Sequence, residues 1–271
     1  MRVYARPILI FSPQDGKFPS GSREGKRFMR LLVASPLGNV IEPTLSASFP
    51  AAKVIVARNR AEVVHAVTGI EKLDVVLADL VWNDPEQEFR FDGLDVLDMV
   101  RESRSGTAVL LAGQGHSMEQ DHLDEAYHRA DEIAGVHEKA TGIPALLSAI
   151  RQAGDGERLP NRRATNGIPS LYELFTGRDG VIAGRLAGAI ASGRTWDPAS
   201  LAAAAEVDLD AAHSLADGYL GRIITQRREN ESHGELTSAV VYRWCGLHAR
   251  YLTSWCRRNG HTEVLTHGDE S

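Results

Sequence analysis

The sequence predicts an α/β domain built on a parallel sheet, followed by an all-α domain. Three observations predict it. Leu73-Asp74-Val75-Val76-Leu77-Ala78-Asp79-Leu80 is a short, nearly continuous apolar run with no helical period, and its core ends in an acid. Such a run reads as a strand buried on both faces. Similar runs alternate with amphipathic stretches of about ten residues from residue 28 to residue 153, the alternation of a parallel sheet covered on both sides. Beyond residue 170 the strand pattern stops, and helical periods rich in alanine and arginine take over.

The elements follow in order. Residues 1–27, with Pro7, Pro13 and Pro19, read as an irregular arm. Strands are predicted at Met29–Ala34, Lys53–Ala57, Leu73–Asp79, Ala108–Ala112 and Ile133–His137. Helices are predicted at Leu37–Phe49, interrupted or started late by Pro43, and at Arg60–Gly69, Gly93–Glu102, His122–Ala130 and Ile143–Ala153. A polar loop, Trp82–Phe91, carries Asp84, Glu86 and Glu88. Residues 154–170 form a linker by composition. Leu171–Gly193 has a helical period. Asp197-Pro198 then caps a helix over Ala199–Glu206, since aspartate accepts at the N-cap and proline fits the first helical position. A corner at Val207–Asp210 leads into a helix over Ala211–Gln226, and a last helix spans Leu236–Asn259. The helical domain thus covers 171–262, with a tail at 263–271.

Charge and cysteines bound the function. The net charge of −6 argues against a broadly basic nucleic-acid coat. Residues 151–271 nonetheless hold 14 cations, all arginine, the side chain suited to bidentate contact with phosphate or carboxylate. No apolar run approaches the roughly 18–20 residues of a membrane span. No signal peptide is read at the start. Cys245 and Cys256 fall in one predicted helix, about 16 Å apart at 1.5 Å per residue, too far for a disulfide. They read as reduced thiols in a cytoplasmic protein. Cys245-x₂-His248 and Cys256-x₄-His261 cannot converge on one ion along a continuous helix, so no metal is expected. There is no nucleophile–base pair, phosphate loop or dinucleotide fingerprint, so neither an enzyme nor a cofactor is expected.

Five β-α units, Asp79 ending the third strand, Lys139 just after the fifth and Asp92-Gly93-Leu94-Asp95-Val96-Leu97 opening a helix together resemble the receiver domain of response regulators. The resemblance covers residues 28–153 and implies a flavodoxin-like sheet, a phospho-acceptor position at Asp79, and dimerisation through roughly Asp121–Ala153. The departures are specific. Where the family places two acids to hold Mg²⁺, this chain has Ala34-Ser35. Its residue at the hydroxyl position is Ala112, and Ala140 follows the lysine in place of proline. Magnesium requires hard oxygen ligands in near-octahedral geometry, which Asp79 alone does not supply. Asp79 and Lys139 are therefore expected as a structural ion pair, in an atypical receiver answering a small-molecule or protein signal.

The short alanine-rich helix, corner and longer helix outline a helix-turn-helix. His213 and Ser214 would stand near the start of its recognition helix, and Arg222, Arg227 and Arg228 at its far end. Asp208, Asp210 and Asp217 at the reading end oppose phosphate. Arg243, Arg250 and Arg257 recur every seven residues and line one helix face, a candidate phosphate-tracking stripe. The expectation is a cytoplasmic, homodimeric, DNA-binding transcription regulator of the response-regulator type. The alternative is a pseudo-receiver whose helical domain binds a protein and reads no DNA.

Overall fold

A computed structural model describes residues 28–70, 72–103, 106–160, 167–193, 197–229 and 235–265. The predicted arm at 1–27 and most of the tail lie outside them. The strands are β1 (Arg30–Ala34), β2 (Lys53–Ala57), β3 (Val75–Asp79), β4 (Ala108–Gly113) and β5 (Gly135–Glu138). They pair in parallel in the order β2-β1-β3-β4-β5, the flavodoxin-like order. Between and after them run α1 (Gly38–Ser48), α2 (Arg60–Gly69), α3 (Gly93–Ser103), α4 (Gln120–His128) and α5 (Gly142–Gly154).

Alternation along each strand divides the core into two halves. Leu32, Ala34, Val76, Ala78, Val109 and Leu111 face the side of α2, α3 and α4. Leu31, Val33, Val75, Leu77, Leu110 and Ala112 face the side of α1 and α5. Gly93 begins α3 hard against the end of β3, where an added Cβ would stand 2.6 Å from the Asp79 carbonyl oxygen.

Several expected boundaries move. The helix through Pro43 is uninterrupted and buries only Gly38 and Leu45, a light packing demand that tolerates the missing N–H. β5 starts two residues late, because Gly135 adopts a φ of 148° that ordinary residues resist. The first half of the predicted linker belongs to the α/β domain: Leu159 donates its N–H to Ala134 at 2.7 Å and packs on the α1/α5 core.

The helical domain contains α6 (Leu171–Leu174), α7 (Gly177–Ala191), α8 (Pro198–Ala205), α9 (Leu209–His213), α10 (Tyr219–Gln226), α11 (Ser238–Leu247) and α12 (Ala249–Arg258). Around α7 pack α8, α10, α11 and α12. Gly184 and Gly188, four apart on one face, let α12 approach so closely that added Cβ atoms would meet Trp255 at 2.4 Å and Cys256 Sγ at 2.2 Å. Three helices expected as continuous are broken. Leu171–Gly193 splits at Gly177, with a left-handed φ of 68°. Ala211–Gln226 splits into α9 and α10 at Gly218, whose N–H turns back to Ser214 at 2.6 Å. The last helix splits at His248, which caps both α11 and α12.

Candidate functional site

The C-terminal end of the sheet holds the first candidate. β3 delivers Asp79 with its side chain largely covered. Lys139, in the single 3-10 turn after β5, places Nζ 2.8 Å from Asp79 Oδ1. Ser35 donates its hydroxyl to Asp79 Oδ2 at 2.6 Å and accepts from the Leu37 N–H at 3.1 Å. Both carboxylate oxygens are thus engaged. Ala34 pairs in register with Ala57 and Ala78, and Ala112 lies opposite Asp79 and beside His137. The structure brings Ser35, Asp79, Ala112 and Lys139 to one cavity, whereas the Ala34 side chain faces the other side of the sheet. None of Ala34, Ser35 or Ala112 adds a second carboxylate, and among the described residues no cluster of three or more His, Cys, Asp or Glu could hold a metal.

The second candidate lies where the two domains meet. Asp92 and Asp95 open α3, Asp121 and Glu125 stand one turn apart on α4, and the loop before α3 brings Asn83 and Glu88. That loop is not a free polar excursion, because Trp82 and Phe91 at its two ends are buried edge-to-face, 4.8 Å apart. The helical domain meets these groups with cations. Arg250 bonds Asn83 at 3.2 Å and Glu88 at 2.8 Å. Arg257 bonds Asp95 at 2.7 Å, Asp92 at 3.2 Å and the Phe89 carbonyl at 2.5 Å. Arg258 pairs with Glu125, Ser254 donates to Asp92, and the Tyr251 hydroxyl donates to Glu125 at 2.9 Å. Arg227 reaches Asp121 at 2.8 Å. His122 crosses the seam edge-to-face with Tyr251 and lies 3.5 Å from Asp92.

The electrostatics follow from this packing. Burial alone would raise the Asp92 carboxyl, but His122, Arg258 and Arg257 outweigh it and hold it below the ordinary range. Beside it Asp95 is pushed up to about 6 by burial and the Asp92 charge. Burial opposes the charge on Arg258, yet Glu125, Asp92 and Asp95 hold its pKa above the ordinary arginine value. His248 places Nδ1 2.5 Å from Asp121 and Nε2 3.3 Å from Glu229. Burial favours the neutral ring, but the two carboxylates raise His248 to about 9, so it stands as an imidazolium at neutral pH. Burial likewise opposes ionisation of Glu229, and hydrogen bonds from His248, Arg227 and Trp244 hold its carboxyl at about 2.

The DNA-binding candidates therefore divide. His213, Ser214, Arg222, Arg228 and Arg243 are exposed. Arg227, Arg250 and Arg257 point into the seam, so the seven-residue stripe is not one open face: the break at His248 leaves Arg243 outside while α12 turns its arginines onto α3 and the loop. The predicted dimer face is also partly taken, since Asp121, His122 and Glu125 on α4 are buried. Sequence reading did not place Asp92, Asp121, Glu125, His248 or Arg258 at a contact between the domains. A signal existed, because Asp92, Asp95 and Asp98 recur every three residues and match the spacing of a single helix face.

No family model matches the sequence, and no curated protein matches it. Among solved structures, it is similar to RcsB from Salmonella enterica serovar Typhimurium bound to promoter P1flhDC, with 11% identity over 84% of this chain and 100% of that one, at a TM-score of 0.48. RcsB bound to promoter rprA gives 11% identity over 81% and 98%, at 0.44. Full-length FixJ from B. japonicum gives 16% identity over 80% and 97%, at 0.35. At these values the likenesses carry no functional weight. The fold class rests on the strand order and the helical second domain; among the described residues no helix is long and apolar enough to cross a membrane.

Proposed function

We propose that this chain is a DNA-binding transcription regulator of the atypical response-regulator type, not switched by ordinary aspartyl phosphorylation, and held here in a docked form that hides much of its DNA-binding charge. One observation carries the reading: Arg227, Arg250 and Arg257 are neutralised by carboxylates from the other domain. Arginines built to track phosphate are satisfied equally well by carboxylate forks. A seam of this kind couples domain release to exposure of cations, while His213 and Ser214 on the α9 side are exposed already in the docked form. Phosphotransfer is disfavoured because Ala34 and Ser35 supply no carboxylate beside Asp79 to hold the Mg²⁺ that offsets the charge developing on a moving phosphoryl group.

The test compares wild type with the Asp92→Asn/Asp121→Asn variant on a random duplex and on the DNA upstream of its own gene. The reading expects the variant to bind both more tightly, through freed arginines. Equal and negligible binding by both proteins would overturn it.

A second reading, a helical domain that binds a protein and reads no DNA, is favoured by one specific feature. Asp208, Asp210 and Asp217 are all exposed around the α8–α10 hairpin, where phosphate would have to approach.

A further inference from the structure

We propose that the cavity between the sheet and helices α1 and α5, at the C-terminal end of β3, binds an uncharged, largely apolar small molecule bearing one or two hydrogen-bonding groups. The proposal rests on reading the α/β domain as the regulatory half of the chain, and it names the chemical class of the signal.

The cavity has a volume of about 420 Å³, and its walls are chiefly aliphatic. That size lies within the range of about 300–1,000 Å³ usual for small-molecule sites, and open α/β sheets place such sites beyond their strand ends. Val33 and Leu77 line its sheet side, Ile41 and Leu146 its helix side. At the rim Leu37, Val40 and Ile143 are 67%, 77% and 42% exposed. Exposed apolar side chains gathered around one opening mark a surface that something apolar covers.

The floor decides the class. Asp79 and Lys139 neutralise each other, and Ser35 spends its hydroxyl on Asp79. His137 lines the same cavity and is only 6% exposed. Burial and the neighbouring Lys139 both push its pKa down, so the ring is neutral and offers one donor and one acceptor. A ligand hydroxyl or carbonyl can pair with either ring nitrogen from within the cavity. The floor has no uncompensated positive charge to receive a phosphate or carboxylate. Ala112, in register between Asp79 and His137, contributes only a methyl group and leaves the volume open. The same substitutions that remove phosphoryl chemistry from this pocket thus make it a container.

The full chain is titrated with N-phenyl-1-naphthylamine, a neutral fluorophore that brightens in apolar surroundings, and in parallel with 1-anilinonaphthalene-8-sulfonate, the same ring system carrying a negative charge. Saturable binding of one neutral probe per chain is expected, tighter than that of the sulfonate. Ala112→Phe should fill the cavity and weaken the neutral probe by about tenfold or more. Ile143→Glu and Val40→Glu, at exposed rim positions that need not disturb the core, should weaken it as well and keep the test decisive if Ala112→Phe fails to fold. Absence of saturable binding, tighter binding of the sulfonate, or neutral-probe binding unaffected by the rim variants would overturn the proposal. So would rim variants that dissociate a dimer without altering probe binding, because the rim would then cover a second copy of the chain. None of these readouts involves DNA, so failure here leaves the DNA reading standing, and failure of DNA binding leaves this one standing.

Discussion

At the end of β3, Asp79 faces one lysine, one serine and a cavity walled by aliphatic side chains. At the junction of the domains, Asp92, Asp121 and Glu125 are packed against Arg257, Arg227 and Arg258 with almost no solvent. The first region holds a single ion pair at the rim of an aliphatic cavity, and the second has dense charge where the sequence pointed to an open DNA-binding face. The difference teaches that the energy available to hold or release the helical domain resides in the seam. A change at Asp79 must act through shape, whereas a change at Asp121 acts directly.

The sharpest way to break this contrast is Asp121→Ala. It leaves Arg227 and His248 without their shared carboxylate, and removing one partner of a buried ion pair costs roughly 3–5 kcal/mol. Denaturant unfolding should show the loss, with the helical domain separating before the α/β domain melts. A variant as stable as wild type would mean that Asp121 does not hold the seam.

Alkaline titration is expected to have the next largest effect. His248 is raised in the folded chain, so its contribution is complete below about 6.5, the ordinary histidine value. It is lost as pH rises through about 9, where the imidazolium between Asp121 and Glu229 deprotonates. Stability of the domain contact, followed by Trp244 fluorescence, should fall across that interval, and in His248→Gln that fall should disappear. An unchanged pH profile in His248→Gln would remove His248 from the account.

At the Asp79 pocket the effects should be small. Lys139 is 37% exposed, so its ion pair is worth no more than about 1 kcal/mol. Asp79→Asn should leave both stability and DNA binding close to wild type. Acetyl phosphate with Mg²⁺ should leave the mass of the chain unchanged, and a stoichiometric phosphate on Asp79 would contradict the structural role given to it.

Much of the fold was legible because the strands carry their own pattern. Val75–Asp79 is apolar and β-branched whatever packs on it, and the alternation with helices fixed a parallel sheet. The Asp79, Ser35, Ala112 and Lys139 constellation was legible because it lies at strand ends, where position along the chain sets position in space. The breaks at Gly177 and Gly218 depend on glycine geometries that helical periodicity does not register. His248 has no helix-breaking side chain at all, and its imidazole meets Asp121, 127 residues away in the chain, a contact that helical periodicity does not register. The seam was invisible for the same reason. A stripe of arginines looks alike in sequence whether phosphate or carboxylate faces it.

On the proposed function, Arg250 and Arg257 of α12 serve the seam in the docked form and DNA in the open one. The most direct test is the salt dependence of random-duplex binding by Asp92→Asn/Asp121→Asn, with and without Arg250→Ala and Arg257→Ala. Each phosphate contact contributes about 0.9 to the slope of log affinity against log salt, so removing both arginines should reduce the slope of the opened protein by about 1.8. In the wild-type background, where both are already engaged, the same pair of substitutions should change the slope far less. An equal reduction in both backgrounds would show that the docked seam hides nothing, and no reduction in either would show that these arginines serve the seam alone.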